Sequence, residues 1–251
     1  MVDHVPGLML PILGVSLIAG LATTGGALCV LLLGSLGGRR LSGLLGFAAG
    51  VMLSVVAFDL LPSAWNWGGI GAVSGGFCLG ALLIAACDFL LTQVTLSSKR
   101  GREAGPLRKM GYLIALGISL HDFPEGIAIA AGTAAESHLG WVVALAIGLH
   151  NIPEGIATAA PLRMSGMVPW KIIALTLVMA FFTPLGTLLG FGILAQSTQS
   201  IALLLALAGG AMAYLVWDEL WPEASKRSPR WAWVGAIIGA LGMAALSGMH
   251  H

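Results

Sequence analysis

Eight long apolar runs make up most of this sequence and decide what it can fold into. Each run is close to the roughly 20 apolar residues that an α-helix needs to cross a bilayer. Only 9% of the 251 residues are charged, against about 25% in soluble domains. We therefore predict an all-α integral membrane protein, with residues 1–251 forming a single transmembrane domain of eight transmembrane helices. The predicted spans are about 8–33, 41–62, 69–91, 111–132, 139–161, 171–194, 201–221 and 231–248.

The basic residues are confined to alternate connections between these runs. All twelve Lys and Arg lie within residues 39–40, 99–109, 163–171 and 226–230. Because cytoplasmic loops carry an excess of Lys and Arg, we expect these connections in the cytoplasm and both termini on the extracytoplasmic side. We predict a multi-pass protein of the cell membrane, in a bacterium the inner membrane, whose first span is an uncleaved targeting signal. The net charge of +1 gives no indication of a nucleic-acid partner.

One short element occurs twice inside the apolar runs. LHDFPEG at 120–126 returns as LHNIPEG at 149–155, on predicted spans of opposite direction. In each copy a His and a Glu lie four residues apart, which places them on one helix face. A charged side chain at the bilayer centre costs on the order of 3 kcal/mol, so two copies at mid-membrane indicate a cation site. The Pro before each Glu opens the helix beside the His.

Two imidazoles and two carboxylates are the candidate metal ligands. They are His121, Glu125, His150 and Glu154. This set suits Zn²⁺, Fe²⁺, Mn²⁺, Co²⁺, Ni²⁺ or Cd²⁺ better than Mg²⁺ or Ca²⁺, which prefer oxygen-only shells. Asp122 and Asn151 lie about 100° around their helices from the His, where they are placed to line a second, adjacent cation position. The alternative is a buried His–Glu clamp that only holds two helices together.

A weaker similarity relates the second and seventh spans. GVMLSVVAFDLLPSA at 50–64 resembles GAMAYLVWDELWPEA at 210–224, and the two segments are predicted to run in opposite directions. Equivalent segments of opposite direction are typical of inverted-topology repeats, which bind substrate near the bilayer midplane. We therefore predict an inverted 3+2+3 repeat of three spans, a central pair and three inverted spans. Chance similarity between apolar helices is the alternative.

Acidic residues lie near the ends of these two spans. Asp59 is near the predicted outer end of the second, and Asp218 and Glu219 are near the predicted inner end of the seventh. One interpretation is a metal ligand outside and an exit relay inside. The other is a pair of solvated helix ends, with Glu223 paired to the basic residue at 226 or 227.

The two motif copies resemble the hallmark of the ZIP family (Zrt/Irt-like divalent metal transporters), including its bacterial zinc-uptake and GufA-like members. That family carries His-[Asn or Asp]-x-Pro-Glu-Gly in its fourth helix and a similar element in its fifth, matched here by residues 121–126 and 150–155. The resemblance implies a homodimer that moves zinc, as substrate, into the cytoplasm. It also implies that the two His and two Glu hold a principal ion, with a second ion beside Asp122 and Asn151.

Two further positions follow from the same resemblance. Met52 in the second span matches a position that supplies a further ligand, with ordinary helix packing as the alternative. Thr183, before the Pro of the sixth span, stands where many members carry a Glu that binds the second ion. We therefore expect the second ion position to differ from the family pattern. Asp122, where many members have Asn, is expected to restore the negative charge.

A buried His/Glu site is also compatible with two other functions. An intramembrane zinc-dependent hydrolase needs three protein ligands, an open water position and a general base. The chain lacks H-E-x-x-H, and its candidate ligands are duplicated symmetrically. A structural or metal-sensing membrane protein would bind an ion tightly without flux. The duplicated motif favours a transporter over both.

Overall fold

The computed structural model describes residues 5–34, 37–97, 99–135, 137–193 and 198–247, and every regular element within them is a helix. Two π-helical segments, π1 (Val56–Leu60) and π2 (Leu215–Leu220), continue α2 and α8. The predicted orientation of the termini rests partly on residues 1–4 and 248–251, which lie outside the described residues. The α-helices are α1 (Val5–Leu32), α2 (Gly38–Val55), α3 (Leu61–Ser97), α4 (Lys99–Ala135), α5 (Ser137–Met164), α6 (Pro169–Ala180), α7 (Phe182–Ile193), α8 (Thr198–Tyr214), α9 (Trp221–Arg227) and α10 (Pro229–Ser247).

Six helical stretches of the described chain are long and apolar enough to cross a membrane. They are Met9–Leu32, Gly38–Gln93, Gly105–Thr133, Gly140–Met164, Pro169–Gly192 and Gln199–Arg227. The second is 56 residues long and contains two of the predicted spans, 41–62 and 69–91. The predicted eighth span lies in α10, outside these six. A multi-pass, all-helical membrane protein is therefore supported, whereas the count of eight spans stays a prediction.

Gly69 breaks the longest of these stretches. Its φ of 67° and ψ of −171° lie in a region that glycine occupies far more readily than residues with a Cβ. The helical backbone of α3 is interrupted at this point, at the first residue of the predicted third span. The break therefore adjoins the connection that the sequence predicts at residues 63–68.

Prolines account for the other irregular turns. Pro62 follows π1, Pro222 follows π2, and Pro184 follows the break between α6 and α7. A proline offers no N–H to the carbonyl four residues earlier, and its ring crowds that carbonyl. The helix therefore widens or breaks in the turn before each proline.

Glycines bring α1 against α5 at backbone contact. A Cβ at Gly26 would lie 2.0 Å from the carbonyl oxygen of Ile152, and one at Gly155 would lie 1.8 Å from that of Thr23. Small residues allow this approach between membrane helices, where apolar side chains gain little by leaving lipid for each other. The second motif helix is thus held against α1.

The first motif helix, α4, meets α7 in the same way. A Cβ at Gly126 would lie 2.0 Å from the carbonyl oxygen of Thr183, and one at Gly186 would lie 2.0 Å from that of Phe123. Gly126 and Gly155 are the last residues of the two motif copies. The same motif position therefore fixes each motif helix against a different neighbour.

Two outer helix pairs also pack through glycine. A Cβ at Gly80 of α3 would lie 1.9 Å from the carbonyl oxygen of Leu207 in α8. A Cβ at Gly239 of α10 would lie 2.2 Å from the carbonyl oxygen of Phe47 in α2. These contacts leave α4 and α5 flanked by α1, α7 and the outer pairs.

The largest apolar core lies between α2, α4, α5 and α8. It contains fully buried Met52, Ile118 and Ala157, with Leu205 almost fully buried beside them. The two motif helices therefore cross the centre of the protein. Their polar side chains are enclosed by apolar packing rather than by lipid or water.

Candidate metal centre

The structure brings the polar side chains of both motif copies together in the interior. His121, Asp122 and Glu125 are carried by α4, and their counterparts are carried by α5. None of the six side chains is more than 5% exposed. The counterparts are His150, Asn151 and Glu154. A helix places residues four apart on one face, so each helix presents its His and Glu to the other.

The two copies are joined crosswise. The Nε2 of His121 lies 2.8 Å from Oε1 of Glu154, and the Nε2 of His150 lies 3.0 Å from Oε1 of Glu125. Within the first copy, His121 Nε2 and Glu125 Oε1 are 3.9 Å apart. Each imidazole therefore meets the carboxylate of the other helix more closely than the 3.9 Å within the first copy.

The tautomer of His121 follows from its second nitrogen. Nδ1 lies 3.2 Å from the carbonyl oxygen of Gly117. A carbonyl only accepts, so Nδ1 carries a hydrogen and donates it. In neutral imidazole this leaves Nε2 with a lone pair, facing the carboxylate of Glu154. Two such electron-rich atoms at 2.8 Å require a shared positive centre, which is either a proton or a metal ion.

Three of these side chains have the spacing of a metal site. Ligand atoms of His121, Glu125 and Glu154 all lie within 4.8 Å of one another. Zinc bonds nitrogen and oxygen at about 2.0–2.1 Å, so ligands of one ion stand roughly 3 Å apart. The 2.8 Å between His121 and Glu154 fits two ligands of one ion. His150 adjoins the same group through Glu125.

Several buried polar atoms of the cluster have no hydrogen-bond partner among the described residues. They are the two oxygens of Asp122, Oε2 of Glu125, Oε2 of Glu154, Oδ1 of Asn151 and Nδ1 of His150. Most buried polar groups in proteins are hydrogen-bonded, and an unpaired buried carboxylate oxygen is costly. Four of these six atoms are carboxylate oxygens, which points to a cation as the partner that satisfies them.

Asp122 and Asn151 differ in their surroundings. The Nδ2 of Asn151 donates to the carbonyl oxygen of Ala19 in α1 at 2.9 Å. Asp122 has no hydrogen-bond partner among the described residues, and its Oδ1 lies 3.7 Å from the Nε2 of His121. On α7, Thr183 is fully buried, and its Oγ1 has no hydrogen-bond partner in the described chain. The predicted second cation position is therefore not symmetric between the two copies.

Met52 lies in α2 and is fully buried in the same apolar core as Ile118 and Ile127 of α4. Its sulfur would add a soft ligand to the imidazoles and carboxylates. Ordinary core packing accounts equally well for its burial. A ligand role for Met52 stays a prediction.

A cavity of about 250 Å³ reaches the cluster from one end of the protein. Glu125 and His150 are among its lining residues, together with Asp59, Ser63 and Trp67. The sequence gives no sign of this cavity, because it is formed by residues of several helices. Two of the candidate ligands are therefore accessible without unfolding.

A second acidic group lies at the other end. Asp88, Asp218 and Glu219 place carboxylate oxygens within 4.8 Å of one another. Lys109 forms an ion pair with Asp88, and its Nζ is 3.7 Å from Oε1 of Glu219. The ammonium therefore ties α3, α4 and π2 together at this end. No spacing in the sequence signals this pairing.

Glu223 is paired to Arg227, with 2.6 Å between Oε1 and Nε. This confirms the pairing expected for a helix end in contact with solvent. The ion pair with Arg227 explains the position of the Glu223 carboxylate without a role in ion passage. Glu219, four residues earlier, has a different partner in Lys109.

Comparison with known proteins identifies the family of this chain. The chain matches the family model described as ZIP zinc transporter over residues 94–247, more than half its length. It is 35% identical to the zinc transporter ZTP29 of Arabidopsis thaliana, over 95% of this chain and 93% of that protein. It is 33% identical to the zinc transporter ZupT of Corynebacterium glutamicum, over 95% and 98%. It is 34% identical to ZupT of Chlorobium phaeovibrioides, over 94% and 96%. The chain belongs to the ZIP zinc transporter family.

Proposed function

We propose that this chain moves zinc across the membrane into the cytoplasm through the site between α4 and α5. The observation that carries the proposal is the crossed pair of buried His–Glu contacts, at 2.8 and 3.0 Å. The unpaired carboxylate oxygens beside them and the cavity that reaches two of the four side chains favour an ion that enters and leaves. The relatives at 33–35% identity are named zinc transporters.

The proposed ligands of the principal ion are the two His and two Glu of the motif. They are His121, Glu125, His150 and Glu154. A second ion is proposed beside Asp122, whose buried oxygens have no hydrogen-bond partner among the described residues. Asn151 contributes its Oδ1 there, since its Nδ2 is engaged by α1. Met52 is proposed as a further ligand of the principal ion.

Other divalent metals are proposed as competing substrates. Imidazole and carboxylate together also bind Fe²⁺, Mn²⁺, Co²⁺, Cd²⁺ and Ni²⁺, since ligand type narrows the choice of metal without fixing it. Selection among them then depends on geometry and on metal supply. Competitive uptake of zinc against each ion ranks them.

We infer a single transmembrane domain of eight spans in inverted 3+2+3 order. Gly26 and Gly186 are separated along the sequence by as many residues as Gly50 and Gly210. Gly26 contacts α5 at the motif, and Gly186 contacts α4 at the equivalent position. The same separation relates Asp59 in π1 to Glu219 in π2. Matched contacts at matched separations support a repeat that includes the first and last three spans.

The proposed orientation places the Lys- and Arg-bearing connections in the cytoplasm and both termini outside. The cavity then opens to the outside, and the Lys109 ion pairs close the cytoplasmic end. The proposed location is the cell membrane, in a bacterium the inner membrane. A homodimer is proposed from family membership alone.

The family and its named relatives are transporters rather than enzymes. The intramembrane hydrolase therefore has no support. Binding without flux is the outcome that would favour a sensor. Both alternatives are separated from transport by measuring zinc inside vesicles.

Zinc uptake by the purified protein in proteoliposomes tests the proposal. The wild type is expected to accumulate radioactive zinc, and the double variant Glu125→Ala, Glu154→Ala is expected to accumulate none above empty vesicles. Glu223→Ala is the matched control, because its carboxylate is paired to Arg227 away from the site. Wild-type uptake by the double variant would contradict the proposed path.

A further inference from the structure

Among the described residues, the cavity that reaches the motif has one acidic lining side chain outside the motif. Its titratable lining residues in this part of the chain are Asp59, Glu125 and His150, and its other described lining residues are apolar or uncharged. Asp59 is half-buried in π1. A π-helical turn inside an α-helix is frequently found at a functional site. The carboxylate of Asp59 therefore lines the same cavity as two of the proposed ligands.

The position of Asp59 is at the open end of that cavity. It lies at the far end of the α2–π1 helix from Arg39 and Arg40. Gly132 at the end of α4 and Val142 at the start of α5 line the same cavity, again far from the basic residues of their helices. Glu125 and His150 lie deeper, at the middle of α4 and α5. An ion entering from this end passes Asp59 first.

Glu219 in π2 is the equivalent residue at the other end. Its Oε1 lies 3.7 Å from the Nζ of Lys109. Asp59 lines the same cavity as Glu125 and His150. Of the two equivalent acidic positions, Asp59 is therefore the one that lies on the cavity leading to the motif.

A carboxylate in an apolar-walled cleft attracts cations strongly. Low-dielectric walls focus the field of the charge into the cleft and raise the local concentration of counter-ions. The effect is larger for a divalent ion than for a monovalent one, since the Coulomb energy scales with charge. A carboxylate oxygen is able to hold an ion that still keeps most of its water. Imidazole and carboxylate ligands deeper in the cavity then replace that water.

We propose that Asp59 is the capture ligand for the divalent cation, which it binds at the mouth of the cavity and passes to Glu125 and His150. The inference rests on the proposed transport function. It assigns to Asp59 a role in how readily the site fills, and none in how fast a filled site changes access. The two roles are separable by kinetics.

The test measures zinc uptake into proteoliposomes as a function of zinc concentration for four variants. Asp59→Asn is expected to raise the half-saturating zinc concentration by about tenfold while the maximal rate stays within about twofold. Asp59→Ser is expected to behave in the same way, and Asp59→Glu is expected to restore most of the loss. Ser63→Ala is the matched control, because it changes an uncharged side chain of the same cavity.

Ionic strength gives a second readout. Added salt screens the charge of Asp59, so the half-saturating concentration of the wild type is expected to rise with salt more steeply than that of Asp59→Asn. An unchanged half-saturating concentration in both Asp59→Asn and Asp59→Ser overturns the inference, as does a loss confined to the maximal rate. If the wild type itself accumulates no zinc, the proposed function fails instead.

Discussion

The two copies of the motif share a sequence pattern but differ in what holds them. In the copy on α5, Asn151 donates to the carbonyl of Ala19 on α1. In the copy on α4, Asp122 has no hydrogen-bond partner among the described residues. The His and Glu positions are nevertheless equivalent, because each His contacts the Glu of the other helix. The copies are therefore alike at the principal ion and unlike beside it.

This difference identifies the part of the site that has a structural role. The amide N–H of Asn151 donates a hydrogen bond to a neighbouring helix, so this position also fixes α5 against α1. Asp122 makes no such bond and leaves a buried negative charge, which is costly unless a cation or proton meets it. The α4 copy therefore holds the side chain whose burial depends on a bound cation or proton.

Separate substitutions of the two glutamates test whether the two copies contribute equally to zinc uptake, and they are expected to have the largest effect. Glu125→Gln and Glu154→Gln each remove one carboxylate from one ion site. Loss of groups that merely support a metal ligand already lowers affinity or activity about 10–100-fold. We therefore expect each variant to lose at least about 100-fold in zinc uptake at subsaturating zinc. Glu223→Gln is the control, and a large loss in only one motif variant would contradict equivalence.

Stability changes test the glycine contacts of the α5 copy. Gly26→Ala would place a Cβ 2.0 Å from the carbonyl oxygen of Ile152, and overpacking of this kind costs about 1–3 kcal/mol. Gly25→Ala is the matched control one residue away, since a Cβ there meets nothing within 4 Å. Thermal unfolding in detergent is expected to show a lower midpoint for Gly26→Ala alone.

The same experiment on α7 extends the comparison to the α4 copy. Gly186→Ala meets the carbonyl oxygen of Phe123 at 2.0 Å, whereas a Cβ at Gly192 meets nothing within 4 Å. Equal decreases in the unfolding midpoint are expected for Gly26→Ala and Gly186→Ala if the two interfaces are equivalent. Similar unfolding midpoints for Gly186→Ala and Gly192→Ala would argue against close packing at α4.

Exchanging the second motif residue tests how the two copies differ in stability and in zinc uptake. Asp122→Asn removes a buried charge, so we expect a protein of equal or higher stability whose zinc uptake falls about tenfold. Asn151→Asp replaces the donor to Ala19 with a second acceptor, which we expect to cost about 1–3 kcal/mol. Unfolding midpoints and uptake rates measured on both variants check this. Loss of stability in Asp122→Asn would contradict it.

Lower pH is expected to reduce zinc binding at both copies together, with a smaller effect on uptake than the glutamate substitutions have. Metal binding needs neutral imidazoles and ionised carboxylates, so protons compete with zinc for the same atoms. Uptake measured from about pH 7.5 to about pH 5.5 is expected to fall several-fold as the external pH drops. A rise in uptake over this interval without an imposed proton gradient would contradict the ligand assignment.

The membrane class and the shared helix face of each His and Glu depend on local patterns, so the sequence predicts both. Apolar runs of spanning length identify helices, and the four-residue spacing puts His121 and Glu125 on one face. The six spanning stretches confirm the membrane class, and the motif side chains are buried together. The count of eight spans and the role of these side chains as metal ligands stay predictions. The break at Gly69 falls at the start of the predicted third span.

The crossed pairing and the cavity depend on how helices rotate against one another, which no local pattern encodes. The rotation of α5 is set by Gly26 and Gly155 against backbone atoms of the facing helix. The Lys109 ion pairs join residues from α3, α4 and π2, so their sequence separations carry no signal. Prolines account for the π-helical turns only once the helix is known to continue through them.

X-ray absorption at the zinc edge on the purified, zinc-loaded protein tests the shared ion site most directly. We expect nitrogen and oxygen ligands at about 2.0–2.1 Å with the scattering of two imidazoles, and at most one sulfur, that of the proposed ligand Met52. His121→Ala and His150→Ala are each expected to reduce the two imidazoles to one. A shell of several sulfurs near 2.3 Å, as from cysteines, or two imidazoles retained in either variant, would contradict a single ion shared by both copies.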